Sequence, residues 1–405
     1  MKRRIGDFSM LERVGRLSDG KQNDITGNLL LFSMFALETA YLYSASPVTL
    51  VICGILGILT YLYALKDNDT LLRFMFFIAA GIVALVTINR LFILNCGWSG
   101  CLRIVFISLP IAYLLYSVHI SRHAAVSFFY AVFIYTVIMI ALADPAELYR
   151  IFAASSRNYI SVLLIACLFP YYLACKEDHT EVSVIPALLS LTVSIYVQSR
   201  GGMVALAILV SLTIIREIYL EIAKRTFQNR TKLVRFLISA LLLSGIVFFA
   251  FSKPPVSAGF SENYLSRFHE PAEYPISRSD MWKEYITVTI PSLRNIILGP
   301  PLTTCPLIKA EAYNSHNSYF MTHSYMGIAG FVAVLAGGIG YLILCIRKKQ
   351  YDLLFLSVAF LFRATTDYLF PMLFCDCVIL FMIMDAYMAY VYEKRKNLNN
   401  CDSIV

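Results

Sequence analysis

Three short stretches carry side chains whose types and spacing suit work on an anion. They are Gln198-Ser199-Arg200-Gly201-Gly202, then Arg278-Ser279-Asp280-Met281-Trp282-Lys283-Glu284, then Ser315-His316-Asn317-Ser318. A guanidinium binds phosphate oxygens in pairs and keeps its charge when partly desolvated. Arg200 and Arg278 together suit a diphosphate, including the charge that grows on it as it leaves. Histidine titrates near neutral pH, so His316 suits removal of a proton from an attacking hydroxyl. Asn317 is placed to fix its orientation. Glycosyl transfer from a lipid-borne diphosphate to an alcohol, without a metal, is chemistry that this set permits.

Two further features bear on that set. Arg363 and Asp367 lie four apart, one helical turn, and so can pair. The pair is either a structural ion pair or a device in which Asp367 orients an arginine or a histidine. Arg157-Asn158 opens an apolar run as either a helix cap or a further donor to an anion. Arg200 also has a plainer reading, as an arginine reaching the lipid headgroups. Gly201 and Gly202 beside it permit a tight turn and a close approach.

These residues need a membrane scaffold to bring them together. The chain has 405 residues, 59% hydrophobic and only 15% charged, against roughly 25% charged in soluble domains. That balance excludes a soluble protein and implies an all-α polytopic membrane protein. Continuous rather than alternating apolar runs exclude a β-barrel. About twelve segments are long enough, or nearly so, to cross about 30 Å of hydrocarbon: 27–45, 47–65, 72–94, 102–119, 123–143, 158–175, 183–198, 201–216, 233–252, 320–345, 351–366 and 369–391. The chain therefore divides into spans 1–9 over residues 1–252, a polar loop over 253–319 and spans 10–12 with a tail over 320–405. The start has no cleavable signal pattern, so the first span is expected to be a signal-anchor.

With the N-terminus inside, 22 of the 34 Lys and Arg fall on inward segments, as the positive-inside rule requires. The same orientation puts the 253–319 loop outside, together with the Arg200 turn. The net charge of +8 is explained by those inward loops, so no nucleic-acid partner is implied. The ten cysteines show no metal-ligand spacing. Cys96 and Cys101 flank a short loop and can pair if it faces an oxidising compartment. His119 and His123 lie near an inner loop, where solvation is expected.

Competing chemistries are weaker. Asp67-Asn68-Asp69 spells a D-x-D tripeptide but has no nucleotide-binding domain around it. No P-loop, G-x-G-x-x-G or H-E-x-x-H occurs. His316 and His323 lack the carboxylate or cysteine that would complete a zinc site. A transporter is the rival from another class, since twelve spans are a common transporter outline. Against it stand the lack of a visible internal repeat and a long loop placed after span nine.

On these motifs the chain resembles the O-antigen ligase and polymerase superfamily of bacterial envelope glycan enzymes. The resemblance runs over roughly residues 155 to 390. It rests on the order Ser199-Arg200-Gly201-Gly202, then Arg278 and Trp282 in a large outer loop, then His316-Asn317 before a span with Gly327 and Gly330. It implies a multi-pass protein of the bacterial inner membrane whose site faces the periplasm. It also implies a donor glycan on undecaprenyl diphosphate, inversion at the anomeric carbon and no cofactor. The family's arginines and histidine would fall on Arg200, Arg278 and His316, its acidic position on Asp367, with Ser199, Gly201 and Asn317 in support. The acceptor would be lipid A–core for a ligase or a second lipid-linked repeat unit for a polymerase. The late loop and the Thr366-Asp367 stretch favour the ligase. Membrane lipids are the remaining partner.

Because no metal site is legible, transfer activity is expected to survive EDTA. Strong inhibition that a divalent cation reverses would contradict the chemistry assigned to these residues.

Overall fold

The computed structural model describes residues 25–65, 69–95, 97–143, 151–153, 156–223, 277–311 and 313–402. Among the described residues every regular element is a helix. The first group is α1 (Ile25–Ser44), α2 (Pro47–Ala64), α3 (Asp69–Phe92), α4 (Trp98–Arg103), a π-helical segment (Ile104–Ser108), α5 (Leu109–Ser117) and α6 (Arg122–Leu142). There follow α7 (Tyr159–Glu177), α8 (Ile185–Tyr196) and α9 (Arg200–Ala223). Next come α10 (Arg278–Thr289), α11 (Leu293–Leu298), a 3₁₀ turn (Leu302–Thr304) and α12 (Pro306–Ala310). The chain ends in α13 (Ser318–Arg347), α14 (Tyr351–Thr366) and α15 (Asp376–Asp402).

Among the described residues eight helices are long and apolar enough to cross a membrane: α1, α2, α3, α4–α5 as one, α6, α7, α9 and α13. Their exposed surfaces carry Val51, Ile55, Phe76, Phe77, Ile134 and Val332, the apolar exterior that a hydrocarbon solvent favours. Helix α8 has only 12 residues, about 18 Å at 1.5 Å per residue, and α14 has 16. The expected segment 233–252 lies outside the described residues, as do Cys96 and the first 24 residues.

Helix α7 is the centre. Every residue from Tyr159 to Cys175 is buried, which is the pattern of a helix surrounded on all sides. It packs against α6, α8, α9 and α14. Helix α13 packs on α15, α14 and α3 and is broken at Gly327, where φ is 64°. A Cβ there would stand 2.4 Å from the Ile297 carbonyl oxygen, so the positive φ and the close approach of α11 both require glycine.

Helices α10 to α12 sit on one end of the bundle. Asn89 and Asn95, at the end of α3, donate to the Ser324 carbonyl at 2.7 and 3.0 Å. Asn95 also donates to the Pro300 carbonyl and accepts from Leu302 N–H, at 2.7 and 2.8 Å. The opposite end is tied by Arg216 to Asp352 and by His119 Nδ1 to Glu177 Oε2 at 3.0 Å. His119 is thus held by protein partners rather than simply solvated: the end of α7 brings two acids, Glu177 and Asp178, to its ring.

One buried charge pair lies inside the first group. Glu38 of α1 is 1% exposed and bonds Arg103 of α4, whose guanidinium lies 5.0 Å from the centre of the Tyr41 ring. Removing one partner of a buried pair leaves a charge without compensation, at a cost of about 3–5 kcal/mol. Arg103→Met is expected to lower the melting temperature of the detergent-solubilised protein markedly. An unchanged melt would mean that Glu38 needs no counter-charge.

Candidate functional site

The site is built around the place where α14 stops. Asp367 has φ −157° and ψ 171°, an extended residue that ends the helix one turn after Arg363. Arg363 is 1% exposed. Its Nη2 donates to Asp367 Oδ2 at 2.8 Å and to the Asn158 carbonyl at 3.3 Å, and its Nη1 donates to Thr366 Oγ1 at 3.0 Å. Burial alone would raise the Asp367 carboxyl, but Arg363 and the other cations beside it hold it well below the usual carboxylate range.

Asp367 Oδ1 faces His316 Nδ1 at 3.3 Å and accepts Tyr368 N–H at 2.9 Å. An ionised carboxylate only accepts, so Nδ1 carries the proton and Nε2 is the basic nitrogen of the neutral ring. The imidazole is held at φ 50°, with its backbone N–H on Asn314 Oδ1 at 2.8 Å. That left-handed geometry turns the ring back toward α14. His316 is 21% exposed and Asp367 4%, so the ring reaches solvent while its partner does not.

Asn317 does not orient the imidazole. Its Oδ1 caps α13, accepting from Tyr319 and Phe320 N–H at 3.0 and 3.1 Å, and its Nδ2 donates to the Thr365 carbonyl at 3.2 Å. Ser318 Oγ donates to the Asp367 carbonyl and accepts Leu369 N–H, both at 2.8 Å. An asparagine is a strong N-cap, and here the cap also pins the start of α13 to the end of α14.

Ser277 caps α10 through Asp280 N–H, and Arg278 at the first position donates Nη1 to the Thr366 carbonyl. Trp282, one turn on, donates to the Ser315 carbonyl at 2.9 Å. One helix thus carries an arginine to the end of α14 and braces the histidine loop. Burial pushes the Arg278 guanidinium down; Arg363 and Arg200 push the same way, against Asp367 and Glu311.

Arg200 opens α9 on the exposed side. Ser199 beneath it is fully buried, with Oγ 3.1 Å from Ser161 Oγ and 3.4 Å from the Asn158 carbonyl. A Cβ on Gly201 would lie 2.7 Å from Thr366 Oγ1 and 2.8 Å from Arg363 Nη1. Only a residue without a side chain lets α9 start this close to α14. Asn158 caps α7 without a side-chain bond; its carbonyl is what the site uses.

His316, Asp367, Arg278, Arg200, Ser199, Gly201 and Asn317 therefore all gather at one end of the bundle. Ser161 and Glu311 were not legible beforehand. Glu311 Oε2 lies 3.8 Å from His316 Nε2, but the two are five positions apart in sequence, a spacing that matches no helix or strand period. His323 belongs elsewhere: Nδ1 meets the Tyr285 hydroxyl and Nε2 the Ile296 carbonyl, each at 2.7 Å. No protein-family model, curated protein or solved structure matches this chain.

Gly201→Ala is expected to lower thermal stability by about 1–3 kcal/mol, the cost of overpacking. Gly81→Ala in α3, where a Cβ meets nothing within 4 Å, is expected to be neutral or stabilising. Equal behaviour of the two variants in a thermal melt would remove the close approach of α9 to α14 from the account.

Proposed function

We propose that the protein is a glycosyltransferase of the bacterial inner membrane. It moves a glycan from undecaprenyl diphosphate to a hydroxyl of lipid A–core, as an O-antigen ligase does. In this reading about twelve spans cross the bilayer, with the end that carries α10–α12 in the periplasm. The observation that carries the reading is the gathering of three guanidinium groups, Arg363, Arg278 and Arg200, at the helix ends beside a partly exposed imidazole. Arg363 pairs with Asp367, and in this reading Arg200 and Arg278 are the two guanidinium groups assigned to a dianionic group.

In the reaction, Arg200 and Arg278 hold the diphosphate at the headgroup level. The acceptor hydroxyl donates its proton to His316 Nε2 as its oxygen attacks the anomeric carbon from the side opposite the diphosphate. The carbon–oxygen bond to the diphosphate breaks, and its electron pair leaves on the phosphate oxygen. Backside displacement inverts the anomeric centre. The imidazolium that forms is stabilised by Asp367 at Nδ1, and the two arginines stabilise the charge on the leaving group. Undecaprenyl diphosphate departs, and His316 returns its proton to solvent. Neither a metal nor a cofactor takes part.

A polymerase acting on a second lipid-linked repeat unit would use the same chemistry. The glycan phenotype of a strain lacking the protein separates the two: long lipid-linked polymer with bare core marks a ligase, and core with a single repeat marks a polymerase. Arg200→Ala and Arg278→Ala are expected to abolish transfer in complementation, and His316→Ala to lower it by roughly 10²-fold or more. Surface glycan at the wild-type level in the arginine variants would remove the diphosphate clamp. Unchanged glycan with lost uptake of a solute in the deletion strain would replace the enzyme by a transporter.

A further inference from the structure

His316 has two carboxylate neighbours, and they are not equivalent. Asp367 is sealed in the protein and neutralised by Arg363. Glu311 is 32% exposed and stands on the side of Nε2, the nitrogen that receives the proton. We infer that Glu311 is an acceptor-binding carboxylate, and that the acceptor is a sugar presenting two adjacent hydroxyls to the pair His316 Nε2 and Glu311. The inference rests on the transferase reading above and adds to it the residue that selects the acceptor.

The spacing supports this role. At 3.8 Å the two groups are too far apart to bond each other, since an N–H to oxygen bond spans about 2.7–3.2 Å. The gap instead leaves each group free to bond a hydroxyl of its own, as two hydroxyls on neighbouring ring carbons would supply. A carboxylate offers only acceptors, so it is matched by a hydroxyl that donates. The attacking hydroxyl must give its proton to Nε2, and the hydroxyl on the neighbouring ring carbon then donates to Glu311. Among the described residues Glu311 makes no ion pair with a Lys or Arg; Arg278 acts on it and is acted on only through the longer-range field.

The local chain sets Glu311 in place before any substrate arrives. It ends α12, with its N–H on the Leu307 carbonyl at 3.3 Å. Helix α12 is itself anchored by Glu284 of α10, whose carboxylate accepts Leu307 and Ile308 N–H at 3.1 and 3.2 Å. The returning turn is closed by Tyr313 N–H on the Ile308 carbonyl at 2.9 Å and Asn314 N–H on the Glu311 carbonyl at 3.0 Å. Helix α10 therefore positions both ends of the reaction: Arg278 for the leaving group and, through Glu284, Glu311 for the acceptor. A polar group placed to bond a substrate hydroxyl discriminates strongly against an analogue that lacks it.

The test is steady-state kinetics of purified full-length protein. The donor is lipid-linked glycan extracted from a strain lacking the protein, and the acceptor is deacylated core glycan from the same strain. Glu311→Gln, which keeps size and shape, is expected to raise the acceptor KM roughly tenfold or more, with donor KM unchanged. Glu311→Asp is expected to recover part of that loss. An unchanged acceptor KM in Glu311→Gln, with wild-type protein active, overturns the inference alone. So does a fall in kcat with a shifted pH profile and no change in acceptor KM, which is the signature of a carboxylate acting only on the imidazolium. Failure of the wild-type protein to transfer glycan overturns the transferase reading and this inference with it.

Discussion

The buried pair of Arg363 with Asp367 is the contact on which the candidate site depends. A guanidinium with 1% of its surface exposed survives only if nearly all its donors are satisfied. Arg363 meets that demand with the Asp367 carboxylate, the Asn158 carbonyl, Thr366 Oγ1 and, at 3.5 Å, Ser161 Oγ. Those partners belong to the start of α7 and the end of α14. The start of α9 is drawn in as well, because Gly201 lies directly against the guanidinium. One charge thus fixes three helix ends that are distant in sequence.

The same pair sets the electrostatics of the surface above it. Asp367 is kept ionised by Arg363 and so can hold the imidazole by Nδ1, directing Nε2 outward. Arg278 and Arg200 lie close enough to Arg363 for the three charges to act on one another, with Asp367 and Glu311 opposing them. An anion that lands there meets positive charge that the fold has already desolvated in part, since Arg278 is half-buried. The desolvation was compensated during folding by the carbonyl of Thr366. Little reorganisation is then left for the moment of binding, which is the condition under which fixed charges act most strongly.

Legibility varied along the chain for physical reasons. The apolar runs were plain, because a helix in hydrocarbon must be apolar over most of its length, and α1 to α3 begin and end within a few residues of the expected segments. The Arg363–Asp367 contact could be anticipated because both residues lie on one helix and a period applies. Asn317 is a different case: its side chain is taken up by capping α13 and by the Thr365 carbonyl, so it does not hold the imidazole beside it. His119 was misread because its partners Glu177 and Asp178 arrive from the far end of α7.

The amino-acid sequence alone determined an all-helical membrane scaffold and which side chains have the chemistry to handle an anion. Hydropathy and residue type are local properties, readable one segment at a time. Tertiary structure alone decided that the turn before α9, the cap of α10 and the loop before α13 meet at one helix end, and that Glu311 joins them. Those meetings depend on the angles at which apolar helices pack and on the burial of a single guanidinium, and neither is a property of any one stretch of chain.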